Sequence, residues 1–150
     1  MAECFLVIIP KNPEAKIPAD TDVLRQTLAN MAGTTEARVK DYGKLQFIDA
    51  GQNATDIRCR DCNARIDADE WHIWMQSDWR GAEGFHLHLH SMPCCGTELT
   101  LNDLTYDGPQ GFASWFVSAR RKGRGPLTDA EIQTLEAQAA LPLKAIDQRY

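Results

Sequence analysis

At 150 residues, with 43% hydrophobic and 25% charged residues, the chain has the size and composition of one soluble globular domain. No apolar run approaches the roughly 18 residues that cross a bilayer, which argues against a membrane protein. The net charge of −5 repels phosphate backbones, disfavours broad nucleic-acid affinity and suits a basic protein partner.

The first apolar stretch, CFLVIIP (4–10), reads as a buried strand ended by Pro10. It is too short for a signal-peptide core, and Glu3 stands where a basic segment belongs, so a cytoplasmic location is expected. Thiols stay reduced there, and the five cysteines call for metal or packing rather than disulfides. Pro13 and Pro18 mark a loop. A helix should start near Asp20 or Thr21, carry Leu24, Leu28 and Met31 on one face, and stop at Gly33. ARVKDYGKLQFIDAG reads as one strand or a hairpin, with Val39, Leu45, Phe47 and Ile48 as core candidates.

The middle of the chain, about 56–105, differs in character. DADEWHIWMQSDW spaces Trp71, Trp74, Met75 and Trp79 as a short amphipathic helix whose aromatics belong in a core, with His72 on its surface. FHLHLH alternates, placing Phe85, Leu87 and Leu89 on one face and His86, His88 and His90 on the other, as in a half-exposed strand. The last third repeats the order of the first. GFASWFVSARR (111–121) is strand-like, and a basic turn holding Arg120, Arg121, Lys122 and Arg124 reads as a solvated loop. Thr128 and Glu131 form a capping box ahead of Ile132 and Leu135, and LPLKAIDQRY closes as a strand. The fold class is α+β: two β-α-β halves, with a ferredoxin-like topology as one candidate, flanking a central zinc-ribbon-like insertion within a single domain over 1–150.

Chemistry concentrates in that insertion. Cys59 and Cys62 form C-x-x-C, a spacing that lets one tight turn aim two thiolates at a single ion while backbone amides offset their charge. The downstream element is MPCCG. A second knuckle would read C-P-x-C-G, so Cys95 matches its second cysteine and Met92 stands in place of its first. Tetrahedral zinc needs four ligands. Cys94 completes the set in preference to His90, which could reach the ion from the end of the preceding strand, while His86 and His88 read as strand surface. Cys4 reads as a small buried hydrophobe. The expected ligands are Cys59, Cys62, Cys94 and Cys95 around a structural Zn2+. A thioredoxin-like pair would open a helix directly, and here NARIDADEW delays it. The H-x-E and P-C-x-x-C deaminase pattern, H-E-x-x-H, G-x-S-x-G and phosphate-binding glycine loops are all missing, so no enzymatic activity is expected.

From about residue 55 onward CRDC, PCCG and LNDLTY (Leu101–Tyr106) resemble a group of small, mostly uncharacterised bacterial zinc-ribbon-like proteins with a CxxC … PCCG-x4-LNDLxY pattern. The resemblance implies a zinc ribbon and carries no enzymatic role. Asn102 and Asp103 within it read as caps of a turn. Small size, acidity and the lack of a catalytic constellation favour a protein-binding module. An immunity- or antitoxin-type protein that neutralises a basic bacterial toxin fits, with acidic surfaces near Asp67, Asp69 and Glu70 or at Glu131 and Glu136 as candidate faces. The alternative is a zinc-ribbon regulator contacting nucleic acid or the transcription machinery.

Overall fold

The structure, a computed structural model, describes residues 2–150. Its elements are β1 (Cys4–Pro10), α1 (Asp22–Ala32), β2 (Arg38–Ile48), β3 (Ile57–Arg58), α2 (Ala68–Asp78), β4 (His90–Ser91), β5 (Glu98–Leu99), β6 (Thr105–Tyr106), β7 (Gly111–Arg120), α3 (Asp129–Ala139) and β8 (Leu143–Arg149). The protein is a mixed α+β chain built on one four-stranded antiparallel sheet in the order β2-β7-β1-β8. No helix is long and apolar enough to cross a membrane.

Both β1 and β2 run antiparallel to β7, hence parallel to each other, with α1 as their connection. In the same way β7 and β8 both oppose β1 and are joined by α3. The two β-α-β halves therefore interleave, each contributing an inner and an outer strand. Period-two alternation sends Leu6 and Ile8 of β1 and Trp115, Val117 and Ala119 of β7 to one face, where Leu24 and Leu28 of α1 and Leu135 and Ala139 of α3 cover them. Trp115 is fully buried, and its indole donates to the Ala15 carbonyl at 3.0 Å, so a polar handle is satisfied inside the core.

Local signals explain the helix limits. At α1 the side chain of Thr21 makes no capping hydrogen bond, and the Asp20 carboxylate instead accepts from the Asp22 amide at 3.0 Å. Gly33 ends the helix at φ 81°, a left-handed turn that favours glycine. At α3 the Thr128 hydroxyl accepts from the Glu131 amide and Glu131 accepts from the Thr128 amide, the reciprocal box expected from the sequence. The stretch 38–48 is one strand rather than a hairpin, with its pairing to β7 interrupted between Asp41 and Gln46.

Residues 49–110, between β2 and β7, form an excursion with its own small strand pairs, β3 with β6 and β4 with β5. Ile66, Trp74, Met92, Leu99, Leu101, Leu104 and Tyr106 bury together and continue onto Phe112 of β7, with Phe47 of β2 packed alongside. Asn102 fixes the junction by accepting from the Phe112 amide at 3.0 Å, and Asp103 caps the turn by accepting from the Thr100 amide.

Several expectations need correction. Trp71, Trp74 and Met75 pack inward, but Trp79 is 46% exposed at the helix end, where its ring lies against Phe85. FHLHLH is a strand only at His90–Ser91. The Phe85 amide donates to the Leu45 carbonyl of β2 at 2.9 Å, but the amides of His86 and His88 turn to the Asp78 carbonyl and carboxylate. Cys4 is half-buried rather than buried. The basic turn is more than a solvated loop: Arg121 pairs with Asp147 at 2.8 Å, and Arg124 holds Glu131 through both carboxylate oxygens.

Candidate metal centre

The two cysteine-bearing turns match bond for bond. In the first, the Cys59 amide donates to the Ala64 carbonyl at 2.8 Å and the Asn63 amide to the Cys59 carbonyl at 2.9 Å. In the second, the Met92 amide donates to the Thr97 carbonyl at 2.8 Å and the Gly96 amide to the Met92 carbonyl at 2.8 Å. Each turn closes through a left-handed residue, Asn63 at φ 62° and Gly96 at φ 74°. Asparagine and glycine are the residues that tolerate that conformation most cheaply. A hydrogen bond from the Thr97 hydroxyl to Asp61 at 2.7 Å ties one turn to the other.

In this alignment Cys62 corresponds to Cys95, and Cys59 to Met92. Met92 is 2% exposed and packs into the core of the excursion. A thioether there fills apolar space, and the fourth sulfur comes from Cys94, two residues on. The four sulfur atoms of Cys59, Cys62, Cys94 and Cys95 lie within 4.8 Å of one another. Cys59 and Cys95 approach to 3.8 Å, and Cys94 and Cys95 to 3.9 Å. A tetrahedron with metal–sulfur bonds of about 2.3 Å has edges of about 3.8 Å. The group can hold a metal ion.

Electrostatics point the same way. The Cys59 thiol is lowered to about 7, chiefly by the Cys62 backbone amide aimed at its sulfur and further by that of Asp61. The Cys94 thiol is raised to about 12, first by its hydrogen bond with Cys62, with burial adding to it. Cys95 is raised as well; the Thr97 amide draws its thiol down, but burial and the neighbouring sulfurs of Cys59 and Cys62 outweigh it. One sulfur is thus ready to ionise, while crowding keeps others protonated until a cation replaces their protons.

The histidines are elsewhere. His90 Nε2 lies within hydrogen-bond distance of the Asp78 carboxylate, at 3.1 Å, and its ring stacks on Trp74, so it stands apart from the sulfur cluster. His88 meets the same carboxylate through Nδ1 at 2.9 Å. Asp78 is 0% exposed, and its carboxylate is met by these two imidazoles and by the His88 amide. Neither His86 nor His88 joins the sulfur cluster. Sequence reasoning missed Asp78 altogether; a lone aspartate at the end of an aromatic helix gives no hint of burial, and only the regular H-x-H spacing downstream could have suggested a shared partner.

Compared with family models, with curated proteins and with solved structures, the chain matches none of them.

Proposed function

We propose that the protein is a non-enzymatic binding module: a ferredoxin-like sandwich whose 49–110 excursion is a zinc ribbon closed by a structural Zn2+. The observation that carries this reading is the convergence of four sulfurs at tetrahedral spacing. Four thiolates saturate the shell of a zinc ion and leave no position for water or substrate, which is the signature of a structural rather than a catalytic site. The split β-α-β interleaving of the base supports the ferredoxin-like assignment. All-sulfur ligation also suits iron and copper(I), and elemental analysis of the purified reduced protein decides between them. About one zinc per chain is expected; a folded, metal-free protein overturns the reading.

The acidic charge supports an immunity-type role in the cytoplasm, in which the module occludes a basic bacterial toxin. Co-expression with a toxin encoded beside its gene tests this: survival of the cells is expected, and death at normal expression of the module refutes it. Of the candidate faces, that of Asp67, Asp69 and Glu70 has one carboxylate, Asp67, engaged in capping α2, whereas Glu131 serves Arg124 and Glu136 accepts from the Leu143 amide. A second reading, contact with nucleic acid, is favoured by one specific observation, the uncovered aromatic face of the sheet.

A further inference from the structure

We infer, on the second of those readings, that the sheet face opposite α1 and α3 is a stacking platform for single-stranded nucleic acid. Both helices cover one side of the sheet, and on the other side Ala50 and Ala54 of the excursion pack with Val7, Ile9, Ile48 and Ile146. The remainder is a groove of about 290 Å³ that crosses all four strands. Phe5 of β1 and Phe116 of β7 form its floor, and Tyr42 and the terminal Tyr150 stand beside them, 36% and 48% exposed.

Strand register puts the cations on this same face. Lys40 lies opposite Phe116, and Arg38 opposite Ser118. The Arg38 guanidinium sits 5.5 Å from the centre of the Phe116 ring, and the Lys40 ammonium 5.4 Å from that of Tyr42. Tyr42 and Phe116 are themselves 6.0 Å apart. The carboxylates of the face are already engaged: Glu3 lies 3.7 Å from Arg120, and Asp49 accepts from the Tyr150 hydroxyl at 2.7 Å. Among the described residues neither Arg38 nor Lys40 forms an ion pair.

Partly exposed aromatic rings, Tyr42 and Phe116 tilted 51° to each other, beside cations free of ion pairs match one ligand chemistry, an unstacked base joined to a phosphate. Every base offers a π-face, and Arg and Lys meet the backbone that links successive bases. A duplex keeps its bases stacked inside and has nothing to offer these rings. A basic toxin would meet two cations here, so this face is distinct from the acidic surfaces that suit such a partner. The net charge of −5 opposes the polyanion at long range, so binding is confined to this patch and weakens steeply with salt.

The test is fluorescence anisotropy of the zinc-loaded protein with a labelled mixed-sequence RNA of about twelve nucleotides, single-stranded and as a duplex, at about 50 and 200 mM salt. Tighter binding of the single strand is expected. Phe116→Ala should weaken it about tenfold through the lost stack, and the double change Arg38→Gln with Lys40→Gln should lower the salt slope by about two. Tyr42→Ala, at an exposed position, should weaken binding in the same direction and guards against misfolding at Phe116. Equal affinity for the duplex, no binding at low salt, or affinity indifferent to these changes in folded protein overturns the platform. Zinc content is measured on every sample, so a failed platform leaves the zinc-stabilised module standing.

Discussion

The sheet with its two helices and the excursion between β2 and β7 solve the same problem by different means. The base buries Leu6, Ile8, Trp115, Val117 and Leu135 between long paired strands and helices of eleven residues. Its strands are seven to eleven residues long, and each pairs along a neighbour, with one interruption in β2 between Asp41 and Gln46. The excursion has strand pairs of two residues each, far too short to hold themselves. It borrows Phe112 and Phe47 from the sheet to finish its core, and its outer end, where three of the four cysteines are exposed, has sulfur where an apolar core would be. Long-range packing stabilises one region, and ligation of a cation is expected to stabilise the other.

Metal removal should separate the two most sharply. Structural zinc contributes on the order of 10 kcal/mol of apparent free energy to small ribbons. Chelation, or Cys59→Ser, should abolish hydrogen-exchange protection around 57–66 and 90–99 while amides of β1, β7 and β8 keep theirs. Loss of protection throughout the sheet would show that the two regions are one cooperative unit.

The reverse perturbation is next in size. Trp115→Ala empties the centre of the base and should cost about 3–5 kcal/mol, read from denaturant unfolding. Because Trp115 belongs to a buried cluster separate from the excursion core, this loss should be the same with and without zinc. A loss that doubles on chelation would mean that the ribbon supports the sheet.

A smaller effect probes the irregular knuckle. Cys94→Ser should weaken zinc binding by more than the roughly 10- to 100-fold that losing an outer hydrogen-bond partner costs, measured by competition with a chromophoric chelator. Adding Met92→Cys to that variant places a thiol at the position equivalent to Cys59 and should restore much of the affinity. It also removes a buried thioether, at about 1–3 kcal/mol of packing. If affinity stays low, the correspondence between the two turns does not extend to where their side chains point.

What the sequence made legible follows the same division. The base was readable because its elements are long or capped: the apolar run at 4–10, the strand-like aromatic stretch at 111–121 and the Thr128–Glu131 box all carry signals that tertiary contacts merely reinforce. The sulfur set was readable because C-x-x-C and C-G specify turns. Strand order was not, since sheet neighbours such as β1 and β7 are more than a hundred residues apart. The histidine stretch misled for a physical reason. Its alternation satisfied the strand pattern, but a strand also needs an edge to pair with, and here the backbone carbonyl and carboxylate of Asp78 took the His86 and His88 amides instead.

Acid should take the two regions apart in sequence. Metal-bound thiolates compete with protons, so zinc leaves as pH falls and the excursion loosens first. The base holds on longer through Glu131, whose carboxyl is lowered to about 2 from an ordinary value of 4.5, first by the Arg124 guanidinium and then by the Thr128 amide. A depressed carboxyl contributes stability that is complete above about 4.5 and is lost as pH drops toward 2. The pair is partly open to solvent, with about a quarter of each side chain exposed, so the gain is about 1 kcal/mol after screening. Glu131→Gln should therefore lower the melting temperature at neutral pH by a few degrees and make no difference near pH 2, with zinc affinity untouched. A deficit that persists at the acid end would place the role of Glu131 in packing at the start of α3 rather than in its charge.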